Sequence, residues 1–427
     1  METSPEQSVR RRKVFYISGF DPKGPAYYHA LYAEEAQKQS RLNGMSIEVG
    51  DARRRNRFST SWQVQTSNNA LQTRTDYEVL RWDDIMRSRM RRSGPAFYWD
   101  ALRTYWLYIH TGALWRILQT SYPAFLAGLY PIVFLTGFSG LAAFAALAAY
   151  ASAPESIRLG GTVWTVPPVV IAVLSACLFV CVLSLSRKLE NKIPYFWPLY
   201  VYSFAADHMR GRVPEMDARI QQLSREILDY ITRSEDDEVL IASHSNGTVV
   251  AVLAFAAVLR ADPDIAKRGP QVSFLTLGHS IPLCSFLPQA TALRRALTDL
   301  GGDNGIAWVD ITAPRDAACL ALTDPLKASG LSAENLAEQK SKLLCVPVSQ
   351  LFSPHTFRKT LLHRWLRIHF RYLMAYERAT PFDYFMITAG PLTLAKRFAD
   401  IPSKDGFAKF RLLQQPKMTK RPSEHPF

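Results

Sequence analysis

Charge is missing from two long stretches of this chain. Between Ile117 and Pro154 there is no Asp, Glu, Lys or Arg, and the same holds from Leu159 to Ser186. Runs of that length exclude an ordinary solvated loop, and each can cross about 30 Å of hydrocarbon, which takes roughly 20 apolar residues. The expectation is two transmembrane helices, near 124–150 and 165–186. Pro131 in the first, and Pro167 with Pro168 at the start of the second, mark kinks or boundaries. Cysteine is scarce as well: five are scattered without C-x-x-C spacing, which argues against a disulfide framework and a zinc site. Cys177 and Cys181 lie inside an apolar run and read as small hydrophobes on a helix. There is no H-E-x-x-H, and the Gly19–Gly24 turn lacks the spacing and the Lys-Ser/Thr ending of a P-loop, so neither a metal nor a nucleotide cofactor is implied. A signal-peptide core is missing too. The apolar stretch after Arg10–Lys13 is only Val14–Ile17, so the N-terminal part is expected to stay in the cytoplasm.

Acidic residues are outnumbered, 37 against 51 Lys and Arg, for a formal charge of +14. Such an excess favours phosphate-bearing partners. Basic clusters occur at Arg10–Lys13, Arg53–Arg57 and Arg87–Arg92, without a zinc finger or RNA-recognition signature around them, so a lipid bilayer is expected and nucleic acid is not. Arg103 and Arg116 precede the two apolar runs and Arg187, Lys188 and Lys192 follow them. The connector Ser152–Gly161 carries only Glu155 and Arg158. By the positive-inside rule both flanks, and so both termini, face the cytoplasm from a plasma or inner membrane. The soluble parts can then form one domain: 1–95 and 211–413 as its two halves, 96–210 as a membrane insertion, and 414–427 as a disordered tail.

Aromatics crowd beside the insertion, at Phe97–Trp115 and Tyr195–Phe204, where amphipathic rings suit the headgroup zone and could frame an apolar entrance for an acyl chain. Elsewhere strands alternate with helices. Strands are expected at Lys13–Ser18, Met45–Val49, Tyr77–Trp82, Val272–Leu277 and Ala307–Ile311. Helices are expected over Ala26–Gln39, through Met216, Ile220, Leu223, Ile227 and Ile231, near Gln289–Leu300 and through Leu361–Tyr376. That alternation predicts an α/β fold with a mostly parallel sheet and helices on both faces.

The segment Val239–Gly247, Val-Leu-Ile-Ala-Ser-His-Ser-Asn-Gly, runs an apolar strand into a Ser-x-Ser-x-Gly turn, with a helix-compatible stretch from Thr248 to Leu259. Serine is a poor nucleophile unless it is lifted out of the fold beside a base and above oxyanion donors, which a sharp strand-to-helix turn achieves. Ser245 is the candidate nucleophile, with small residues Ser243 and Gly247 two places to either side. Asp316, just beyond the strand in Trp308–Asp316, fits a carboxylate that orients the base; Asp310, inside that strand, suits a structural role. For the base, His355 in the loop Ser353-Pro-His-Thr-Phe is preferred and His279 is its rival. His363 and His369 fall within the expected helix, and His244 is expected to turn away from the site.

The order Ser245, Asp316, His355, with a strand-turn-helix elbow, resembles the α/β-hydrolase superfamily and its lipase- and esterase-like members over about residues 13–82 and 214–376. Ser243 stands where the family has Gly, and a membrane hairpin precedes the elbow. The resemblance implies an oxyanion hole from the N–H of Asn246 and a second N–H in the turn Ser18-Gly19-Phe20-Asp21, supplied by Gly19 or Phe20. It further implies a membrane-anchored serine hydrolase cleaving a lipid or other acyl ester, with no cofactor. Acyl transfer through the same acyl-enzyme, or a non-catalytic scaffold on this fold, remain open alternatives.

Overall fold

In the computed structural model the described residues are 8–67, 71–90, 95–189, 196–302, 304–331, 341–363 and 366–404. The tail expected over 414–427 lies outside them, as do Arg91, Arg92 and Lys192. Eleven strands are found among the described residues: β1 (Arg11–Ile17), β2 (Ser46–Val49), β3 (Arg53–Arg54), β4 (Ser59–Ser67), β5 (Gln72–Leu80), β6 (Ser156–Leu159), β7 (Thr162–Thr165), β8 (Glu238–His244), β9 (Gln271–Leu277), β10 (Ala307–Thr312) and β11 (Ser341–Cys345). Nine of them make one sheet, in the order β11-β10-β9-β8-β1-β5-β4-β2 with β3 also on β4. From β11 to β5 every neighbouring pair is parallel; β4 pairs antiparallel with β5, β2 and β3. The fold is therefore mixed α/β with a mostly parallel central sheet.

All seven residues of β8 are buried, as a central parallel strand covered on both faces requires. Alternate side chains show what covers each face. Phe15 meets Tyr230 of the helix Pro214–Arg233, ring to ring at 5.5 Å, and Phe274 meets Phe255 of the helix Gly247–Ala261 at 5.6 Å. Tyr16 and Tyr77 point the other way, into a cluster with Tyr28 and Tyr32 of the helix Pro25–Asn43 and with Tyr384 and Phe385. Tyr32 and Tyr77 stand 4.8 Å apart, and Trp62 stacks on Tyr77 at 4.6 Å.

Half of the first basic cluster is internal. Arg12 and Lys13 are buried in β1. Arg12 bonds Glu238 at 2.7 Å and donates to the carbonyls of Gly390 and Leu392, while Lys13 Nζ reaches Asp76 at 2.6 Å and Glu78 at 2.5 Å. These charges are paired within the fold and withdrawn from any membrane surface. β4 and β11 arise where no strand was expected. Polar β4, Ser-Thr-Ser-Trp-Gln-Val-Gln-Thr-Ser, carries few of the apolar residues that announce a strand, and it is stabilised by pairing along the whole of β5. The helix expected through Leu361–Tyr376 is instead Pro354–His363, then Leu366–Phe370 and a 3-10 turn at Arg371–Leu373.

The chain divides into two compact units, Met1–Phe125 with Phe204–Phe427, and Leu126–Ser203. The helices Pro95–His110 and Ala113–Thr120 thus belong to the first unit. In the second unit lie most of the helix Tyr122–Ser152, the β6–β7 hairpin and the helix Pro168–Leu189. Among the described residues only Tyr122–Ser152 is long and apolar enough to cross a membrane, by length and composition; Pro168–Val182 is a shorter apolar stretch. Two spans are therefore not supported as such. The connector Ser152–Gly161 carries the first strand of the β6–β7 hairpin, which runs on to Thr165.

Candidate functional site

The carboxyl ends of β1, β8, β9 and β10 converge on one edge of the sheet. β8 pairs with β1 and β9 in register, Ile17 opposite Ser243 and His244 opposite Leu277, so the turn after β8 opens beside the turn after β1. Ser245 takes φ 56°, a left-handed conformation rare for a residue with a side chain. Its N–H donates to the Leu277 carbonyl at 2.9 Å, and the helix Gly247–Ala261 starts immediately behind it. Backbone strain of this kind is held only where neighbours over-determine it, and it sets the hydroxyl at the top of a tight strand-to-helix turn. Ser243, two residues before Ser245, is accommodated in the buried strand because its hydroxyl donates to the Leu275 carbonyl at 3.2 Å.

Two glycines make the turn possible. A Cβ on Gly247 would stand 2.6 Å from the Ile17 carbonyl oxygen and closer still to that of Ser18. A Cβ on Gly19 would stand 2.7 Å from Ser245 Cβ and 3.3 Å from Ser245 Oγ. The backbone at Gly19 thus reaches the serine without an intervening side chain. The turn after β1 is fixed in place: Trp82 Nε1 donates to the Ser18 carbonyl at 2.9 Å, and the Phe20 ring is buried against Phe204 and Trp82. Buried Asp21 accepts from the Lys23 N–H, and burial raises its pKa. Asn246 begins the helix, where backbone N–H groups lack intrahelical partners, and its buried side-chain nitrogen has no hydrogen-bond partner among the described residues.

Asp316 lies just past β10, fully buried. Its Oδ2 accepts from His369 Nδ1 at 2.7 Å and from the Tyr372 hydroxyl at 2.9 Å, and its Oδ1 accepts from the Ala318 N–H at 3.0 Å. Burial opposes its charge, but the His369 ring and these donors outweigh it and hold the carboxyl below its ordinary value. A carboxylate on Nδ1 fixes the tautomer and leaves Nε2 as the position for proton exchange. His244 supports this arrangement from beneath. Its Nε2 bonds the His369 carbonyl at 2.7 Å; a carbonyl only accepts, so Nε2 carries the proton. The two rings are 4.6 Å apart, and burial, with repulsion from His369, pushes the pKa of His244 down to about 3.

Several expectations meet here, and those for His355 and His244 do not: His244, expected to turn away, packs its ring against His369 at 4.6 Å. The structure brings together Ser245, Asn246, Gly19 and Phe20 at one edge, with Asp316 beyond the end of β10, two strands from β8 on the same edge. His355 is not with them: it is exposed in the first turn of the helix Pro354–His363, and the partner of Asp316 is His369. His279 is buried, with Nε2 donating to the Thr323 carbonyl at 3.0 Å. Asp310 sits inside β10, as its structural reading anticipated. The side chain of His363 lies outside the described residues. In the sequence His369 reads as a residue on the face of the helix expected through Leu361–Tyr376; in the fold the helix Leu366–Phe370 passes into the 3-10 turn Arg371–Leu373, with His369 in its last turn. A signal was present in the i, i+3 spacing of His369 and Tyr372, which brings both onto one carboxylate in a short helical turn. No protein-family model, curated protein or solved structure matches this chain.

Proposed function

We propose that this protein is a serine hydrolase of α/β-hydrolase type that cleaves an acyl ester, with a lipid as the favoured substrate class. The observation that carries the reading is the buried His369–Asp316 pair at 2.7 Å, at the same sheet edge as a left-handed Ser245. In this scheme Ser245 Oγ attacks the ester carbonyl carbon and its proton passes to His369 Nε2. Asp316 keeps the imidazole oriented and stabilises it when charged. The N–H groups of Asn246 and of Gly19 or Phe20 receive the oxyanion. Collapse of the tetrahedral intermediate breaks the ester C–O bond, and the alcohol leaves with the proton from His369. Water then attacks the acyl-serine, gives its proton to His369, and releases the carboxylic acid as Ser245 regains its hydrogen.

The membrane reading rests on the helix Tyr122–Ser152 and on the uncharged run that forms most of Pro168–Leu189. We take the two as a hairpin whose basic flanks keep both termini cytoplasmic. Labelling with a fluorophosphonate tests the chemistry. The expected result for the folded protein in detergent is covalent modification at Ser245, lost in Ser245→Ala and in His369→Ala. A folded protein that takes up no label would sink the hydrolase reading.

A further inference from the structure

The helix Pro95–His110 is apolar on its exposed face as well as on its buried one. Phe97, Ala101, Tyr105 and Tyr108 are buried on one face, and the opposite face carries Trp99, Leu102, Trp106 and Ile109, exposed by 67, 58, 67 and 57%. Their spacing of three, four and three residues makes a single stripe along the helix. No charge interrupts it. Asp100 and Arg103 sit on the shoulder, where Arg103 bonds Asp207 at 2.8 Å. The next helix, Ala113–Thr120, buries Ala113, Ile117 and Thr120 and exposes Trp115 by 53%. A water-facing surface built from three tryptophans, a leucine and an isoleucine is far from what a soluble face presents.

Three further observations say what covers it. The apolar helix Tyr122–Ser152 follows this pair of helices after one residue, Ser121. Tryptophan is the residue of the membrane–water boundary, where its ring meets acyl chains and its N–H stays wet. Exposed Arg116 adjoins Trp115 and lies near enough to Arg294 for the two guanidiniums to repel, so that, after burial, Arg116 also lowers the pKa of Arg294. That local excess of positive charge suits anionic headgroups. The stripe also reports on the site. The Tyr108 hydroxyl donates to the Leu283 carbonyl at 3.1 Å, tying this helix to the short helix Ile281–Ser285 that follows β9 at the Ser245 edge of the sheet.

We propose that Trp99, Leu102, Trp106, Ile109 and Trp115 form an interfacial face that lies in the headgroup boundary of a bilayer, parallel to its surface, and keeps the carboxyl edge of the sheet close to lipid. This rests on the membrane part of the function proposed above and is independent of its chemistry. The face is distinct from a spanning helix because its buried side belongs to the core of the sheet domain. Its depth in the boundary is expected to be about 5–10 Å.

The test uses the full chain in vesicles of phosphatidylcholine and phosphatidylglycerol, with nitroxide labels placed at L102C, L141C or T232C in a C177S/C181S/C345S background. Leu141 lies in the apolar helix and Thr232 on the exposed side of the helix Pro214–Arg233. Collision with dissolved oxygen against a water-soluble nickel chelate reads depth. The expected result is an oxygen-to-nickel ratio at L102C at least threefold above that at T232C, and below that at L141C. L102C as open to nickel as T232C, with L141C in lipid, overturns the interfacial face and leaves the anchor standing. All three labels in water overturn both. Spin–spin broadening at L102C that persists on dilution with lipid assigns the stripe to a second copy of the chain and likewise overturns the proposal.

Discussion

His369 and Asp316 meet at 2.7 Å, whereas His279, just past β9, and Asp310 of β10, a second buried pair, stand 3.6 Å apart. Asp316 takes hydrogen bonds from a ring nitrogen, a phenol and a backbone N–H, and its pKa falls. Asp310 accepts at Oδ1 from the Thr276 hydroxyl at 2.5 Å, its Oδ2 has no hydrogen-bond partner among the described residues, and burial raises its pKa. His279 directs Nε2 at the Thr323 carbonyl. Two carboxylates in similar burial, each beside a histidine, thus have opposite electrostatic outcomes. At Asp316 burial is outweighed by the attraction of the His369 ring, followed by hydrogen bonds from that ring, Tyr372 and Ala318, whereas at Asp310 the His279 ring and the single Thr276 donor do not outweigh it. Under the proposed chemistry the first pair is the one that would hold and stabilise an imidazolium.

The largest expected contrast is in turnover. Asp316→Asn should lower kcat on an activated ester by about 10³–10⁴-fold, the scale seen when a triad carboxylate loses its charge, while Asp310→Asn should leave kcat within about threefold. Equal losses in the two variants would break the distinction drawn between the pairs. His244 is found on the first pair alone, and its neutrality is a stability statement. Its folded pKa, about 3, lies below the ordinary 6.5, so the stability it contributes is complete above about pH 6.5 and is lost as pH falls toward 3. Urea unfolding of His244→Phe between pH 6.5 and 4 should therefore show a pH slope shallower by about one proton, roughly 1.4 kcal/mol per pH unit. Parallel slopes in variant and parent would refute the burial of a neutral ring there.

Tyr372→Phe sharpens the comparison by moving Asp316 toward the condition of Asp310. Loss of one donor should cost about 1 kcal/mol, read as a drop in kcat of about fivefold with KM unchanged. An unaltered kcat would mean that the phenol serves packing alone. Smallest is Thr276→Val, which strips Asp310 of its donor. Unfolding free energy should fall by about 1–2 kcal/mol with kcat unmoved, and a comparable loss of activity would tie the second pair to catalysis after all.

Much of the frame could be read from residue order. Apolar Val239–Ala242 before Ser-His-Ser-Asn-Gly marked β8 and its turn, and the apolar run before Asp316 marked β10 with that carboxylate just past its end. What could not be read was set by tertiary pairing. β4 has too few apolar residues to declare itself, and β5 supplies its partner groups. His369 was concealed by a helical pattern that reads on to Tyr376, whereas the α-helix ends at Phe370 and gives way to the 3-10 turn Arg371–Leu373, where Tyr372 and Leu373 are buried. His355 looked freer in the sequence and is free in the fold, exposed to solvent and away from the site. The basic cluster at Arg10–Lys13 carried a similar ambiguity, because charge alone does not say whether Glu238, Asp76 and Glu78 lie opposite.

The placement of β1 between β5 and β8 also has a timetable built into it. One edge of β1 is covered as soon as Leu80 has been made, but the other waits for Glu238–His244, about 160 residues later. At about 5–20 residues per second that wait lasts roughly 8–30 s. Throughout it, Val14–Ile17 present an open apolar edge of the kind that recruits stray strands. The apolar helix Tyr122–Ser152 is synthesised inside the same interval, so under the proposed anchoring the chain reaches the bilayer while its sheet is still two halves. The Gly19 turn and Ser245 then come together only on a chain already tethered, which separates the moment of reactivity from the moment of synthesis.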